Sequence, residues 1–268
     1  MNQIAPLDFL DNKTVRLFLV LAGLFIANAI IAEAIGVKIF SLEQTFGFAP
    51  VSFSLFGEQG LAFDLSVGVM IWPVVFVMTD IINEYYGVRG VRFLSMLAAG
   101  LIAFMFCVFY LAIRTVPAEW WQLSQTAHGV PDMQAAFNQI LGQGMSIIIA
   151  SLTAFIFGQL VDATVFKRIK IVTGERRIWM RATLSTLASQ LIDTLVVSYM
   201  FLYFSMGFSF PRVTAIVMVS YTYKFAMAIL CTPLVYLAHY AIERYLGRDR
   251  ARALKLQAIE RQSLISTD

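Results

Sequence analysis

Two carboxylates, Asp80 and Glu84, stand four residues apart near the end of the apolar run Trp72-Pro-Val-Val-Phe-Val-Met-Thr-Asp-Ile-Ile-Asn-Glu-Tyr-Tyr-Gly87, with Asn83 beside them. Residues four apart share a helix face, so the two acids project together. Charges in so apolar a segment are costly unless they face protein, water or a ligand. Related groups recur along the chain. Gly158-Gln-Leu-Val-Asp162 and Ser189-Gln-Leu-Ile-Asp193 each set an amide and a carboxylate three residues apart, on one face. Asn28 and Glu33 interrupt an earlier apolar run, and Lys224 interrupts a later one. The candidate binding set is Asn28, Asp80, Asn83, Glu84, Gln159, Asp162, Gln190, Asp193 and Lys224.

The chemistry open to this set is recognition. Carboxylates only accept hydrogen bonds, whereas amides donate and accept. A carboxylate takes two parallel bonds from adjacent N–H donors, such as the ring N–H and exocyclic amine of a guanine edge. Asn or Gln suits the remaining ring acceptors. The 23 Phe and 10 Tyr offer rings on which a flat base could stack. A polar heterocycle is chemically sensible, and composition leaves an amino acid, a cation or a proton equally open. Plainer roles compete. Lys224 can simply neutralise Asp193 or Asp162. Glu84 can reach the cytoplasmic interface, Asn28 and Glu33 can pack between helices, and Tyr85 and Tyr86 read first as an interfacial belt. Asp80, Asp162 and Asp193 resist such readings, because only one of them can be the main partner of Lys224.

No Gly-rich phosphate loop, His-Glu-x-x-His or Gly-x-Ser-x-Gly string is present, so no enzyme is expected. His128 and His239 lie far apart without ligand spacing, and neither a metal site nor a cofactor is expected. Cys107 and Cys231 read as isolated, buried small hydrophobes.

These groups must be positioned by membrane helices. Hydrophobic residues make up 59% of the 268 and charged residues 14%, with a mean hydropathy of +0.74. Soluble domains carry about 25% charged residues. The fold class expected is an all-α integral membrane protein with six transmembrane helices, over 17–35, 65–82, 93–113, 145–166, 182–204 and 213–242. The first reads as a true span and not a cleaved leader, because its apolar run is long for one. Pro73 is expected to kink the second span, and 87–92 forms a tight connection to the third. Alternation in Val51-Ser-Phe-Ser-Leu-Phe56 suggests a strand or hairpin within 36–62, which is expected to be a partly buried external loop. A short surface helix is expected over 132–140, within the loop 114–140.

All but four of the 20 Lys and Arg residues fall on one side of this arrangement, the exceptions being Lys38, Arg114, Arg212 and Lys224. Positive loops stay in the cytoplasm, so both termini are expected there. The basic loop 167–181 reads as a topology signal. Three parts follow: a cytoplasmic lead 1–16, a six-helix transmembrane domain 17–242, and a basic cytoplasmic tail 243–268, helical over 243–262. The matching strings in the fourth and fifth spans allow two inverted three-helix halves with a site at their interface.

Val77-Met-Thr-Asp-Ile-Ile-Asn-Glu-Tyr-Tyr-Gly87 resembles the signature of the queuosine-precursor transporter family, also grouped as vitamin uptake transporters. So do Gly158-Gln-Leu-Val-Asp-Ala-Thr-Val-Phe166 with Lys167 and Arg168, Ser185-Thr-Leu-Ala-Ser-Gln-Leu-Ile-Asp-Thr194, and Tyr223-Lys224-Phe225. The likeness runs over 17–242. It implies an inner-membrane importer of the 7-deazaguanine bases preQ0 (7-cyano) and preQ1 (7-aminomethyl), salvaged to make queuosine in tRNA. By motif position it implies site roles for Asp80, Asn83, Glu84, Gln159, Asp162, Gln190, Asp193 and Lys224, and less distinctively for Asn28. The partners it implies are the small-molecule base and the lipid bilayer, with no nucleic acid; a homodimer is an open assembly. A rival reading is the vitamin-binding subunit of an energy-coupling-factor transporter, which needs an ATPase partner. A membrane enzyme or structural subunit fits less well, given the missing catalytic strings and the polar groups clustered in several spans.

Overall fold

The computed structural model describes residues 11–142, 145–173 and 178–264. Asp8 of the lead and Arg176 and Arg177 of the basic loop lie outside the described residues, as do the side chains of Arg181 and Arg261. The chain is mostly helical. Five helices among the described residues are long and apolar enough to cross a membrane: Lys13–Ile35, Trp72–Ile113, Ile149–Thr173, Thr183–Ser205 and Phe210–Leu246. At most 44% of any of these apolar windows is buried inside the bundle. The remaining apolar surface needs lipid to cover it, which makes this a multi-pass membrane protein.

Helix α1 (Lys13–Ile35) starts where the Asn12 side chain accepts from the Thr14 N–H. It buries Leu21, Phe25, Ala29 and Ala32 along one stripe and turns Val20, Leu24 and Ile31 outward. The loop after it contains β1 (Ile39–Ser41), α2 (Leu42–Thr45), β2 (Phe53–Leu55), β3 (Glu58–Leu61) and β4 (Asp64–Ser66). Strand β1 pairs with β4, and β2 pairs with β3 across Phe56 and Gly57, both at positive φ. The alternating run thus supplies one strand of a hairpin, and a second strand pair, β1 with β4, frames it. Buried Glu43 staples the loop, accepting from the N–H groups of Phe63 at 3.0 Å and Val51 at 3.4 Å. These N–H bonds, that of Phe63 foremost, hold its carboxyl below the usual carboxylate range.

The second expected span begins later than 65. A 3₁₀ turn, Val67–Met70, leads into α3 (Trp72–Ile113), and Pro73 sits in the first turn of α3, where its missing N–H needs no partner. Pro73 therefore makes no kink. The break lies at Gly87, with φ 74 and ψ 178. Thr79 Oγ1 and Ser95 Oγ both bond Gln159 Oε1, at 3.1 and 3.4 Å. A straight helix would hold them roughly 24 Å apart along its axis. A Cβ built on Gly90 would also lie 3.5 Å from Ile82 Cγ2. Helix α3 thus folds back at Gly87 into two antiparallel arms, 72–86 and 88–113. The expected connection 87–92 shrinks to one residue, because glycine alone readily adopts that backbone geometry.

Short helices α4 (Glu119–Gln122) and α5 (Met133–Leu141) follow; Asp132 caps α5 by accepting from Gln134 and Ala135 N–H groups. Helix α6 (Met145–Thr173) runs past the expected end at 166, so Lys167, Arg168 and Lys170 are helical and not in a loop. Helix α7 (Ile178–Ser198) ends in a π-helical stretch, Tyr199–Ser205. The expected span 213–242 divides at Cys231 into α8 (Phe210–Leu230) and α9 (Thr232–Leu246), because Pro233 at the start of α9 withholds a backbone donor. The helical tail is the end of α9 plus α10 (Arg248–Leu264), split at Gly247. Helix α10 packs on α3. Cys107 is exposed on the outer face of α3 and not buried; a helix in lipid can turn small apolar groups outward.

Candidate functional site

The first arm of α3 presents Thr79, Asp80, Asn83 and Glu84 as one buried stripe. Each meets a polar group from another helix. Besides the Thr79–Gln159 bond, Asn83 Nδ2 donates to the Ala163 carbonyl at 3.4 Å, and Ser185 Oγ donates to Asp80 Oδ1 at 3.4 Å. Ser189 Oγ donates to Asp162 Oδ1 at 3.4 Å. The two matching strings of α6 and α7 face each other antiparallel: Gly158 lies against Asp193, and Asp162 against Ser189. The missing side chain of Gly158 gives the helices room to approach.

Glu84 does not join the other acids. Lys170 of α6 reaches its carboxylate at 3.1 Å and donates to its backbone carbonyl at 2.9 Å. Both side chains are almost wholly buried, 2% and 1% exposed. The reading of Glu84 as an interfacial acid and of Lys170 as a loop cation is corrected by this pair. Beside it, Tyr85 is buried with its hydroxyl 3.1 Å from His239 Nδ1, so it is no interfacial belt. Tyr86 donates to the Thr14 carbonyl at 2.7 Å and packs on Phe18.

Two cavities meet at Lys224. The inner one, of about 30 Å³, lies between the first arm of α3, α7, α8 and α9. Asp80, Gln190 and Lys224 line it with Thr183 and Thr186, and Trp72, Phe76 and Tyr223 supply rings. That volume holds about two waters. The second cavity, about 280 Å³, opens toward β1 and β4 and is lined by Glu33, Ser151, Asp193 and Lys224. Glu33 accepts from Ser151 Oγ there. Lys224 Nζ bonds Asp193 Oδ2 at 2.7 Å, so the pair, with Trp72 and Val69, stands between the cavities. Among the acids weighed as its partner, Asp193 is the one that takes it.

The structure therefore sorts the nine candidates. Asp80, Gln190 and Lys224 converge on one cavity, and Asp193 lines the second, joined to the first through Lys224. Asn83, Gln159 and Asp162 form a buried polar layer behind it, between α3 and α6. Asn28 bonds the Leu24 carbonyl of its own helix at 2.7 Å. Gln190 Oε1, Asn83 Oδ1 and Asp162 Oδ2 are buried without a hydrogen-bond partner among the described residues, and only Gln190 of these lines the cavity. Sequence reading missed Thr183, Thr186 and Phe76. The signal was present for the threonines, since 183, 186 and 190 share one face of α7.

A family model described as "Putative vitamin uptake transporter" matches residues 66–238. A Bacillus subtilis (strain 168) protein named "Probable queuosine precursor transporter" is 29% identical over 175 residues, covering 65% of this chain and 71% of that protein. The Escherichia coli (strain K12) "Queuosine precursor transporter" is 30% identical over 139 residues, covering 50% of this chain and 54% of its own length. No solved structure matches the chain.

Proposed function

The chain belongs to the putative vitamin uptake transporter family, whose role is transport and not catalysis, and from that premise we propose that it imports queuosine precursors. The proposed cargo is a 7-deazaguanine base, preQ0 or preQ1, taken across the inner membrane for tRNA queuosine salvage. The observation that carries this reading is the inner cavity. It sets the Asp80 carboxylate and the partnerless Gln190 Oε1 beside the rings of Trp72, Phe76 and Tyr223. Asp80 would accept from the ring N–H and exocyclic amine of the base. Gln190 would accept a further N–H, and the rings would stack on its faces. Asn83, Gln159 and Asp162 hold the arm, α6 and α7 in place behind it, and Glu84 with Lys170 fixes the hairpin. Asp193 and Lys224 form the wall toward the larger cavity. Asn28 enters the set at its margin, since its amide is satisfied within α1.

The reversal at Gly87 supports six membrane crossings, because each arm of α3 then counts as one. An even number agrees with cytoplasmic termini. The antiparallel facing of Gly158-to-Asp162 with Ser189-to-Asp193 supports two inverted halves meeting at the site. The proposed parts remain the lead 1–16, the bundle 17–242 and the tail 243–268. The inner cavity is far below the roughly 300 Å³ at the low end of ligand sites, so carriage requires it to open.

The test is uptake of labelled preQ0 and preQ1 by liposomes holding the purified chain alone. Saturable uptake blocked by unlabelled base supports the proposal. Binding without uptake would assign the chain to the energy-coupling-factor class, and no binding of either base would remove the proposed cargo.

A further inference from the structure

The largest cavity described, about 680 Å³, lies away from the inner cavity, at the tip of the α3 hairpin. The second arm of α3 contributes Arg89 and Arg92, α6 contributes Lys167 and Arg168, and α10 closes one side with Gln257. No acidic residue lines it among the described residues. None of the four cations has an ion-pair or hydrogen-bond partner among the described residues. Lys167 and Arg168 lie one turn before the last turn of α6, whose own basic residue is Lys170. Arg89 and Arg92 are placed less favourably still. They follow the break at Gly87 and so begin a helical arm, where positive charge opposes the dipole. A topology signal requires basic residues on this side of the membrane, but not their convergence on one cavity.

We propose that this cavity binds a phosphate-bearing anion, supplied either by the headgroup of an anionic phospholipid in the adjacent leaflet or by a soluble phosphate compound. The guanidinium forks of Arg89 and Arg92 match phosphate oxygens in pairs, and Lys167 adds a point charge. Gly87 and Val88, at the start of the second arm, also line the cavity, and the positive end of that arm's dipole favours an anion there. Occupation would relieve the repulsion among the four cations and tie the hairpin tip to α6 and α10. Basic pockets between membrane helices on the cytoplasmic side are suited to such headgroups.

The test uses the full chain in an uncharged detergent, followed by thermal unfolding and native mass spectrometry. The titrants are phosphatidylglycerol, phosphatidylcholine, inorganic phosphate, pyrophosphate, and potassium chloride at matched ionic strength. A saturable rise in Tm with a retained adduct, beyond the chloride and phosphatidylcholine controls, is expected. A response to phosphatidylglycerol alone assigns a lipid headgroup; a response to phosphate or pyrophosphate assigns a soluble anion. R89Q/R92Q should weaken that binding roughly tenfold or more. R248Q/R252Q removes two cations outside the cavity and should leave it unchanged. Absence of any wild-type response beyond the controls overturns the proposal, as does an equal loss in both double variants. Should R89Q/R92Q fail to fold, K167Q/R168Q reads the same cavity from α6. Binding is read without transport, so this result and the substrate result fail independently.

Discussion

At the scale of single residues, the site depends on which polar groups are satisfied by protein and which are left for a ligand. Gln190, whose Oε1 has no hydrogen-bond partner among the described residues, is of the second kind; Glu84 and Lys170 are of the first, and Asp80 lines the cavity while it accepts from Ser185. Asp80→Ala should abolish uptake of 7-deazaguanine bases while the variant still folds, and wild-type uptake in that variant would remove Asp80 from the site. Lys170→Met leaves a buried carboxylate unpaired and should cost about 3 kcal/mol of stability, read as a fall in Tm. The double variant Lys170→Met with Glu84→Gln should recover most of that loss, because no charge is then stranded. Recovery would identify Glu84 as a structural acid, whereas lost uptake in the stable double variant would return it to the binding set.

At the scale of elements, two features position the site. The first is the reversal at Gly87. Its φ of 74 with an extended ψ of 178 is strained for any residue with a side chain. Gly87→Ala should cost about 1–3 kcal/mol and lower the yield of folded protein. A variant as stable as wild type would show that the hairpin tip tolerates another geometry. The second is the loop over the larger cavity, tied by Glu43 to the N–H groups of Phe63 and Val51, and by Ser209 Oγ donating to Glu58. The folded carboxyl of Glu43 titrates below its ordinary value, so its tie is fully present above that ordinary value and is lost as pH falls through the lowered one. The protection of the Phe63 amide, taken as its exchange rate relative to that of an unstructured amide at the same pH, should therefore fall in acid, and Glu43→Gln should lower that protection and remove its dependence on pH. Exchange that is equally slow in that variant would mean the loop is held elsewhere.

At the scale of the whole molecule, crossing number and access are linked. Five crossings would put the two ends of the chain on opposite sides of the membrane, and six put them on one. With Cys107 and Cys231 replaced by serine, Asp11→Cys and Arg250→Cys should both resist an impermeant thiol reagent applied from outside, while Glu58→Cys should react. Labelling of just one terminal site would overturn the six-crossing reading. Access follows from the cavities: about 280 Å³ on the side of the β-strands against about 30 Å³ inside. In the proposed cycle these volumes would exchange, and the Lys224–Asp193 pair, at the boundary of the two cavities, is the contact that would change.

The membrane class, the helical spans and most of the polar set were legible in the sequence because they depend on local properties. Hydropathy over a window marks a span, and spacings of three and four mark a face. The strand within 51–56 was legible for the same reason, through short alternation, and the helix over 133–141 lies close to the expected 132–140. Legibility stopped where a residue's role depends on a distant helix. Lys170 looked like a loop cation because nothing nearby in sequence reveals that Glu84 awaits it. Pro73 looked like a kink and Gly87 like the start of a loop, because the helix start that shelters one and the reversal that needs the other are settled by packing against α1 and α6. Which members of the polar set reach a cavity was likewise decided only by tertiary structure. Gln190 of α7 faces the cavity and Asp162 of α6 the layer behind it, and the orientation of each helix is fixed by contacts with its neighbours.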